Sequence, residues 1–207
     1  MGLPAKAVAY IELEDYLVLE NASRYKHEYL DGVIYAVQGS EVRGDRGIAV
    51  RGMAGGSAAH ADLIRNIGFA LHQQLAGSPC SVKMNEMRLR VEAANSVFYP
   101  DVLVHCDALQ HPAQTLELSE ARLVVEVLSP STEKFDRGEK LLSYQQLVGL
   151  QHILLVSSQV QQAWVCHRTS ATGPWSALTP WGAQSTLALP AVGVELTWSA
   201  VYGGIRF

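Results

Sequence analysis

The sequence predicts an α/β fold in which a curved mixed β-sheet is flanked by helices, and three observations predict it. Elements alternate in the order helix, strand, helix, three strands, helix, strands. The three middle strands follow one another without intervening helices, which fits a Rossmann unit poorly. With 207 residues, nearly half hydrophobic and 17% charged, the chain is long and apolar enough for one globular domain with a proper core.

The elements follow from local chemistry. Within "IELEDYLVLENASRYKHEYLDG" a helix is expected around Leu13 to Leu19, broken at Asn21-Ala22-Ser23 and followed by a second short element. Asp31-Gly32 supplies a turn, and "VIYAV" is β-branched and aromatic, hence a strand. Glycines and arginines around Arg43-Gly44-Asp45-Arg46-Gly47 predict a protruding hairpin inserted at about 37–52. "SAAHADLIRNIGFALHQQLAG" is the clearest helix. Ser57 can cap it, apolar residues recur at Leu63, Ile67, Leu71 and Leu75, and Gly77 can end it. "SVKMNEMRLRVEA", "FYPDVLVHC" and "ARLVVEVLS" read as three strands, the last ended by Pro130. Asp136 and Glu139 form an acidic helix-start box for "DRGEKLLSYQQLVG". "HILLVSS" and "QQAWVCHR" are further strands, and two short ones are expected around "STLALP" and "VELTW". No repeat or linker divides residues 1–207, so a single domain is expected.

Composition narrows the function classes. A net charge of −4 gives no global basic field, so a nucleic-acid contact would need a local patch. The three cysteines Cys80, Cys106 and Cys166 are odd in number and far apart, the pattern of free thiols in a reducing compartment. The first residues lack a signal-peptide core, and no apolar run approaches a membrane span. A cytoplasmic protein without membrane contact is expected.

The chemistry concentrates on two neighbouring strands. Asp101 precedes Val102-Leu103-Val104, and alternation puts Asp101, Leu103 and His105 on one face. Val124, Glu126 and Leu128 share a face of the later strand. A carboxylate inside "LVVEVL" is costly to bury unless it is paired or binds metal. If the strands adjoin, Asp101 and Glu126 can converge on a hard cation such as Mg²⁺. The competing readings are a buried ion pair between Glu126 and an arginine such as Arg88, or a simple edge-of-sheet carboxylate. Two carboxylates so placed suggest a metal-dependent nuclease, whose lysine usually stands two residues after the second carboxylate. That position is Leu128. The helix starting near Asp136 can bring Lys140 to the same place, with Lys134 as the second candidate.

The series "YKHEYLDGVIYA", "MAGGSAAH", "YPDVLV", "LVVEVLSPSTEKFDRGEKLLSY" and "HILLV" resembles the Uma-two family of restriction-endonuclease-like proteins, in the PD-(D/E)xK nuclease superfamily. The likeness runs from about Tyr10 to the closing "LPAVGVELTWSAVYGG". It implies a restriction-endonuclease-like core, with leucine at the usual lysine position and a lysine in the next helix, matched here by Leu128 and Lys140. It also implies a helix glutamate as a further acidic member, which falls on Glu28. The family pattern runs almost directly from "DGxIYA" into "MAGGSxxH", so the segment 37–52 is a departure. Its Arg43 and Arg46 are either a finger touching nucleic-acid backbone or a solvated surface. His60, at the "SxxH" position, either lines the cleft or is a capping, partly buried histidine.

The expectation is therefore a Mg²⁺-dependent endonuclease acting on DNA, with Mn²⁺ as the alternative metal. Asp101, Glu126 and the Val127 carbonyl would hold the cation, with help from Glu28, and Lys140 would supply the ammonium. A symmetric homodimer would cut both strands. The alternative is a member that kept the fold as a structural or nucleic-acid-binding protein and lost turnover.

Overall fold

The computed structural model describes residues 10–37, 51–52, 56–106 and 112–207. Helix α1 (Leu13–Ala22) leads into the antiparallel pair β1 (Lys26–Leu30) and β2 (Val33–Val37). Asp31 (φ 42°) and Gly32 (φ 85°) form the tight turn between them, a conformation that favours Asp-Gly. Strand β3 (Arg51–Gly52) lies parallel to β2. Arg43, Arg46 and most of the expected 37–52 hairpin lie outside the described residues.

Helix α2 (Ala58–Leu75) is capped by Ser57, whose Oγ accepts the His60 N–H at 3.2 Å. Then come β4 (Cys80–Met84), β5 (Arg88–Val91), β6 (Ser96–Phe98), β7 (Val102–Cys106), β8 (Glu117–Leu118) and β9 (Leu123–Leu128). A helical segment follows in three stretches: α3 (Glu133–Phe135), a wide-turned stretch Asp136–Lys140, and α4 (Leu141–Tyr144). Strands β10 (His152–Ser157), β11 (Ala163–His167), β12 (Thr179–Trp181), β13 (Leu187–Leu189) and β14 (Val194–Leu196) lead to α5 (Trp198–Tyr202).

The expected α/β architecture with mixed sheet and flanking helices is present, but among the described residues the strands divide into two six-stranded sheets and a hairpin. One sheet runs β3-β2-β1-β6-β5-β8, the other β12-β11-β10-β9-β7-β4. The division corrects two of the expected strands. "SVKMNEMRLRVEA" breaks between β4 and β5, where Asn85 adopts φ 57°. "FYPDVLVHC" breaks between β6 and β7, because Pro100 has no N–H for a ladder. At both breaks the chain changes sheets, and the Asn85 N–H donates to the Asp101 carbonyl at 3.1 Å. Asp101 thus stands at the corner where the sheets part.

The second sheet carries the core on both faces. Val102, Val104, Leu123, Val125 and Val127 pack toward α2, β13–β14 and α5. Leu103, Val124 and Leu128 pack on the other side, with Leu141 and Tyr144 of α4 and with Leu89 and Phe98 of the first sheet. Strand β9, parallel to β10 and antiparallel to β7, is buried along its whole length, the reason its sequence is so apolar.

Three further expectations are corrected. Helix α3 starts at Glu133, and Asp136 is a buried residue inside the helical segment instead of its cap. Glu28 stands on strand β1, not on a helix. Cys80 and Cys106 form a disulfide, because they lie directly opposite in the β4–β7 register, with Cα atoms 3.8 Å apart. Cys166 remains a free, buried thiol. Among the described residues, no helix is long and apolar enough to cross a membrane.

Candidate active site

A narrow cleft of about 60 Å³ opens where β9 ends, beside the corner formed by Asp101. Its lining brings together Glu28, His60, Asp101, Glu126, Val127 and Lys140, residues from five separate segments. Glu126 comes from β9, on the face that also carries Val124 and Leu128. Asp101 is held by the edge of the same strand, its Oδ2 accepting the Val127 N–H at 2.7 Å. Arg88 is not the partner of Glu126. Its guanidinium donates to Asn21 Oδ1 at 3.0 Å and lies 3.9 Å from Glu117.

Lys140 is buried, and its Nζ stands 2.8 Å from Glu28 Oε1, 3.0 Å from Glu126 Oε1 and 3.7 Å from Asp136 Oδ1. Burial alone would lower the pKa of this ammonium, but Glu126, Glu28 and Asp136 together hold it well above the ordinary lysine value. It therefore stays charged at neutral pH. Leu128 packs with Phe135, Leu141 and Tyr144, so the strand position two residues after Glu126 faces an apolar cluster. Lys134 is exposed.

Two residues of the site were not expected from the sequence. Tyr144 is buried and donates its hydroxyl to Glu126 Oε1 at 2.6 Å. Asp136 lines the cleft, and burial pushes its carboxyl up to about 6. Their signal was the spacing: residues 136, 140 and 144 are four apart and share one helical face. Glu126 is itself raised well above the ordinary carboxylate range, first by burial and then by the neighbouring Asp101, Asp136 and Glu28, against the pull of Lys140.

Glu28 Oε1 accepts the Tyr99 N–H at 3.0 Å as well as the Lys140 ammonium, while its buried Oε2 has no hydrogen-bond partner among the described residues. His60 combines both readings of its role. Its backbone completes the α2 cap, and its Nε2 lies 3.6 Å from Asp101 Oδ2 inside the cleft. Burial would lower the His60 pKa, but the Asp101 carboxylate outweighs it and raises it. Gly56 leaves room for the ring, since a Cβ there would stand 2.8 Å from His60 Nδ1.

No group of three or more His, Cys, Asp or Glu side chains among the described residues forms a ready metal cage. The donors present still suit a hard cation. Asp101, Glu126 and the Val127 carbonyl are all oxygen ligands, and Mg²⁺ is commonly held by one or two carboxylates with water and phosphate completing its shell. Glu126 Oε1 is already engaged by Tyr144 and Lys140, which directs its other oxygen toward such a role.

Residues 13–199 match the family model described as "Uma2: Putative restriction endonuclease". The chain is 31% identical over 204 residues to "Uncharacterized protein slr1290" of Synechocystis sp., covering 99% of this chain and 97% of the relative. It is 27% identical over 143 residues to "Uncharacterized protein sll1609" of the same organism, covering 69% of this chain and 72% of the relative. Among solved structures, its fold is similar to that of a "putative nuclease belonging to DUF820" from Anabaena variabilis. The TM-score is 0.65 and the identity 14%, with 93% of this chain and 97% of that chain covered. At that identity the likeness concerns the fold.

Proposed function

Since this chain belongs to the family described as "Uma2: Putative restriction endonuclease", we propose that it is a metal-dependent endonuclease hydrolysing phosphodiester bonds of DNA. The observation that carries this reading is the buried Lys140 ammonium, 3.0 Å from Glu126 Oε1, in the cleft that Asp101 also lines. An ammonium and two carboxylates at the end of neighbouring strands can together hold a cation and stabilise charge on a phosphate, whichever element supplies the ammonium.

Asp101, Glu126 and the Val127 carbonyl would hold Mg²⁺, or Mn²⁺ in its place. When bound, that cation supplies charge neutralisation at the phosphate and lowers the pKa of a water. Lys140 stabilises the negative charge that develops on the phosphate oxygens as the nucleophile attacks. Glu28 and Tyr144 keep it and Glu126 in place, Glu28 through Lys140 Nζ and Tyr144 through Glu126 Oε1. His60 is positioned beside Asp101 to contact the incoming phosphate. The reading takes residues 1–207 as one restriction-endonuclease-like domain with an insertion at about 37–52, where Arg43 and Arg46 would add backbone contacts. Two copies in a homodimer would cut both strands. A cytoplasmic location goes with a DNA substrate, and the Cys80–Cys106 bridge is the observation against it.

A second reading is a catalytically inactive member that binds nucleic acid or serves a structural role. It is favoured by the way Lys140 already neutralises Glu126 and Glu28 without any added cation. The test is incubation of purified protein with plasmid DNA in Mg²⁺, in Mn²⁺ and in chelator, with Asp101→Asn and Glu126→Gln alongside. Metal-dependent nicking lost in both variants supports the nuclease. Intact plasmid and intact single-stranded DNA, together with no Mn²⁺ binding by calorimetry, select the inactive reading.

A further inference from the structure

A second cleft of about 190 Å³ adjoins the candidate active site and shares Val37, Tyr99 and Asp101 with it. Its outer wall is Arg24-Tyr25-Lys26, the turn from α1 into β1. In a chain of net charge −4, two cations side by side at the mouth of an acidic cleft are a local reversal of sign. The Arg24 side chain is exposed and makes no ion pair or hydrogen bond among the described residues. Lys26 Nζ donates to the Asn85 carbonyl at 2.9 Å and to Glu86 Oε1 at 2.7 Å, and stands 5.5 Å from the centre of the Tyr99 ring. Glu86 is a weak competitor for that ammonium, since its side chain is 82% exposed and free to yield to a phosphate.

Tyr25, between the two cations in sequence, lines the same cleft with its aromatic side chain left 60% exposed. An exposed ring in a cleft that also carries two cations is a platform on which an unpaired base stacks while its phosphate is neutralised. The depth of the active site points the same way. The side chains of Lys140 and Glu126 are only 5% and 4% exposed, so the scissile phosphate has to descend into the cleft. A single strand bends into such a recess more readily than a closed duplex.

We propose that the Arg24-Tyr25-Lys26 cleft is a nucleotide-binding subsite that takes an unpaired nucleotide next to the scissile phosphate, making single-stranded nucleic acid the preferred substrate class. The proposal rests on the nuclease reading for its placement, but its contacts come from this chain's own side chains and need no metal. The test is therefore fluorescence anisotropy in chelator, with a short labelled oligodeoxynucleotide, single-stranded or annealed to its complement.

The wild type should bind the single strand more tightly than the duplex. Tyr25→Ala should weaken single-strand binding about tenfold, and Tyr25→Trp should retain it, because the first removes the aromatic face on which a base stacks and the second keeps it. Arg24→Ala with Lys26→Ala should also flatten the salt dependence, by about 0.7 in log–log slope for each phosphate no longer neutralised. Wild-type affinity in Tyr25→Ala, equal binding of duplex and single strand, or no binding of either by the wild type overturns the proposal. Metal-dependent cutting of plasmid and of the single-stranded oligodeoxynucleotide by the wild type is judged separately. Loss of cutting with this binding pattern intact would sink the nuclease reading and leave the subsite standing.

Discussion

At the scale of single residues, the site is a balance between burial and charge. Glu126 Oε1 accepts the Tyr144 hydroxyl at 2.6 Å and lies 3.0 Å from the Lys140 ammonium, so its carboxylate has one fixed orientation. Tyr144→Phe removes the shorter of these bonds. The fold should survive with a loss of about 1–2 kcal/mol, measured in urea, while cleavage falls further than that loss of stability explains. Asp136 offers a pH test. Its carboxyl is raised by burial from 3.8 to about 6, so the folded state binds the proton more tightly than the unfolded state does. Stability from this group is present below about pH 4 and is lost as pH rises through about 6. Urea melts without metal should show the wild type losing about 2–3 kcal/mol relative to Asp136→Asn across that window. Comparison with the variant matters because His152, lowered to about 4 by burial, changes stability in the opposite direction over an overlapping range. Glu126 was legible in the sequence because a carboxylate in an apolar strand needs a partner or a metal, Asp101 because it stands at the start of a neighbouring strand, and Lys140 because the next helix can bring it to the strand end. Asp136 and Tyr144 were not, because an acidic residue near a helix start and a tyrosine in a helix have ordinary explanations at the surface and in the core.

At the scale of elements, the site is made where strands change sheets. The breaks at Asn85 and Pro100 were each visible as residues, and the apolar alternation shifts phase between Met84 and Met87, yet pattern alone does not reveal a change of sheet. The helical segment was legible as a helix but not in its start, since Thr132 and Glu133 precede the acidic pair that suggested a cap. Its wide-turned stretch Asp136–Lys140 turns both of its end residues inward. Leu128 supports that stretch from the strand below, packing with Phe135, Leu141 and Tyr144. Leu128→Lys therefore puts an ammonium among apolar side chains instead of beside the carboxylates. It should destabilise the protein by about 3–5 kcal/mol in urea melts and should not replace Lys140 in activity.

At the scale of the whole molecule, α2 with the β13–β14 hairpin and α5 covers one face of the second sheet, and α4 with the first sheet covers the other. This α/β plan was legible from element order. The division into two sheets was not, because it depends on long-range pairings such as β1 with β6 and β5 with β8. The Cys80–Cys106 bridge was hidden for the same reason, its cysteines being 26 residues apart and adjacent only through β4–β7 pairing. Closing a loop of that length, the bridge should stabilise the fold by about 3–4 kcal/mol, read as the loss in urea on Cys80→Ser with Cys106→Ser. Everything proposed for the cleft turns on Lys140 supplying the ammonium at the scissile phosphate. The plasmid-cleavage rate of Lys140→Ala, followed as Mg²⁺ is titrated, probes this with the Asp101 and Glu126 side chains both retained. The maximal rate should fall at least about a hundredfold, with half-saturation at the same Mg²⁺ concentration or below it, since Asp101 and Glu126 remain. A variant that cuts at the wild-type rate, or that regains that rate when Mg²⁺ is raised, would show that the ammonium comes from elsewhere.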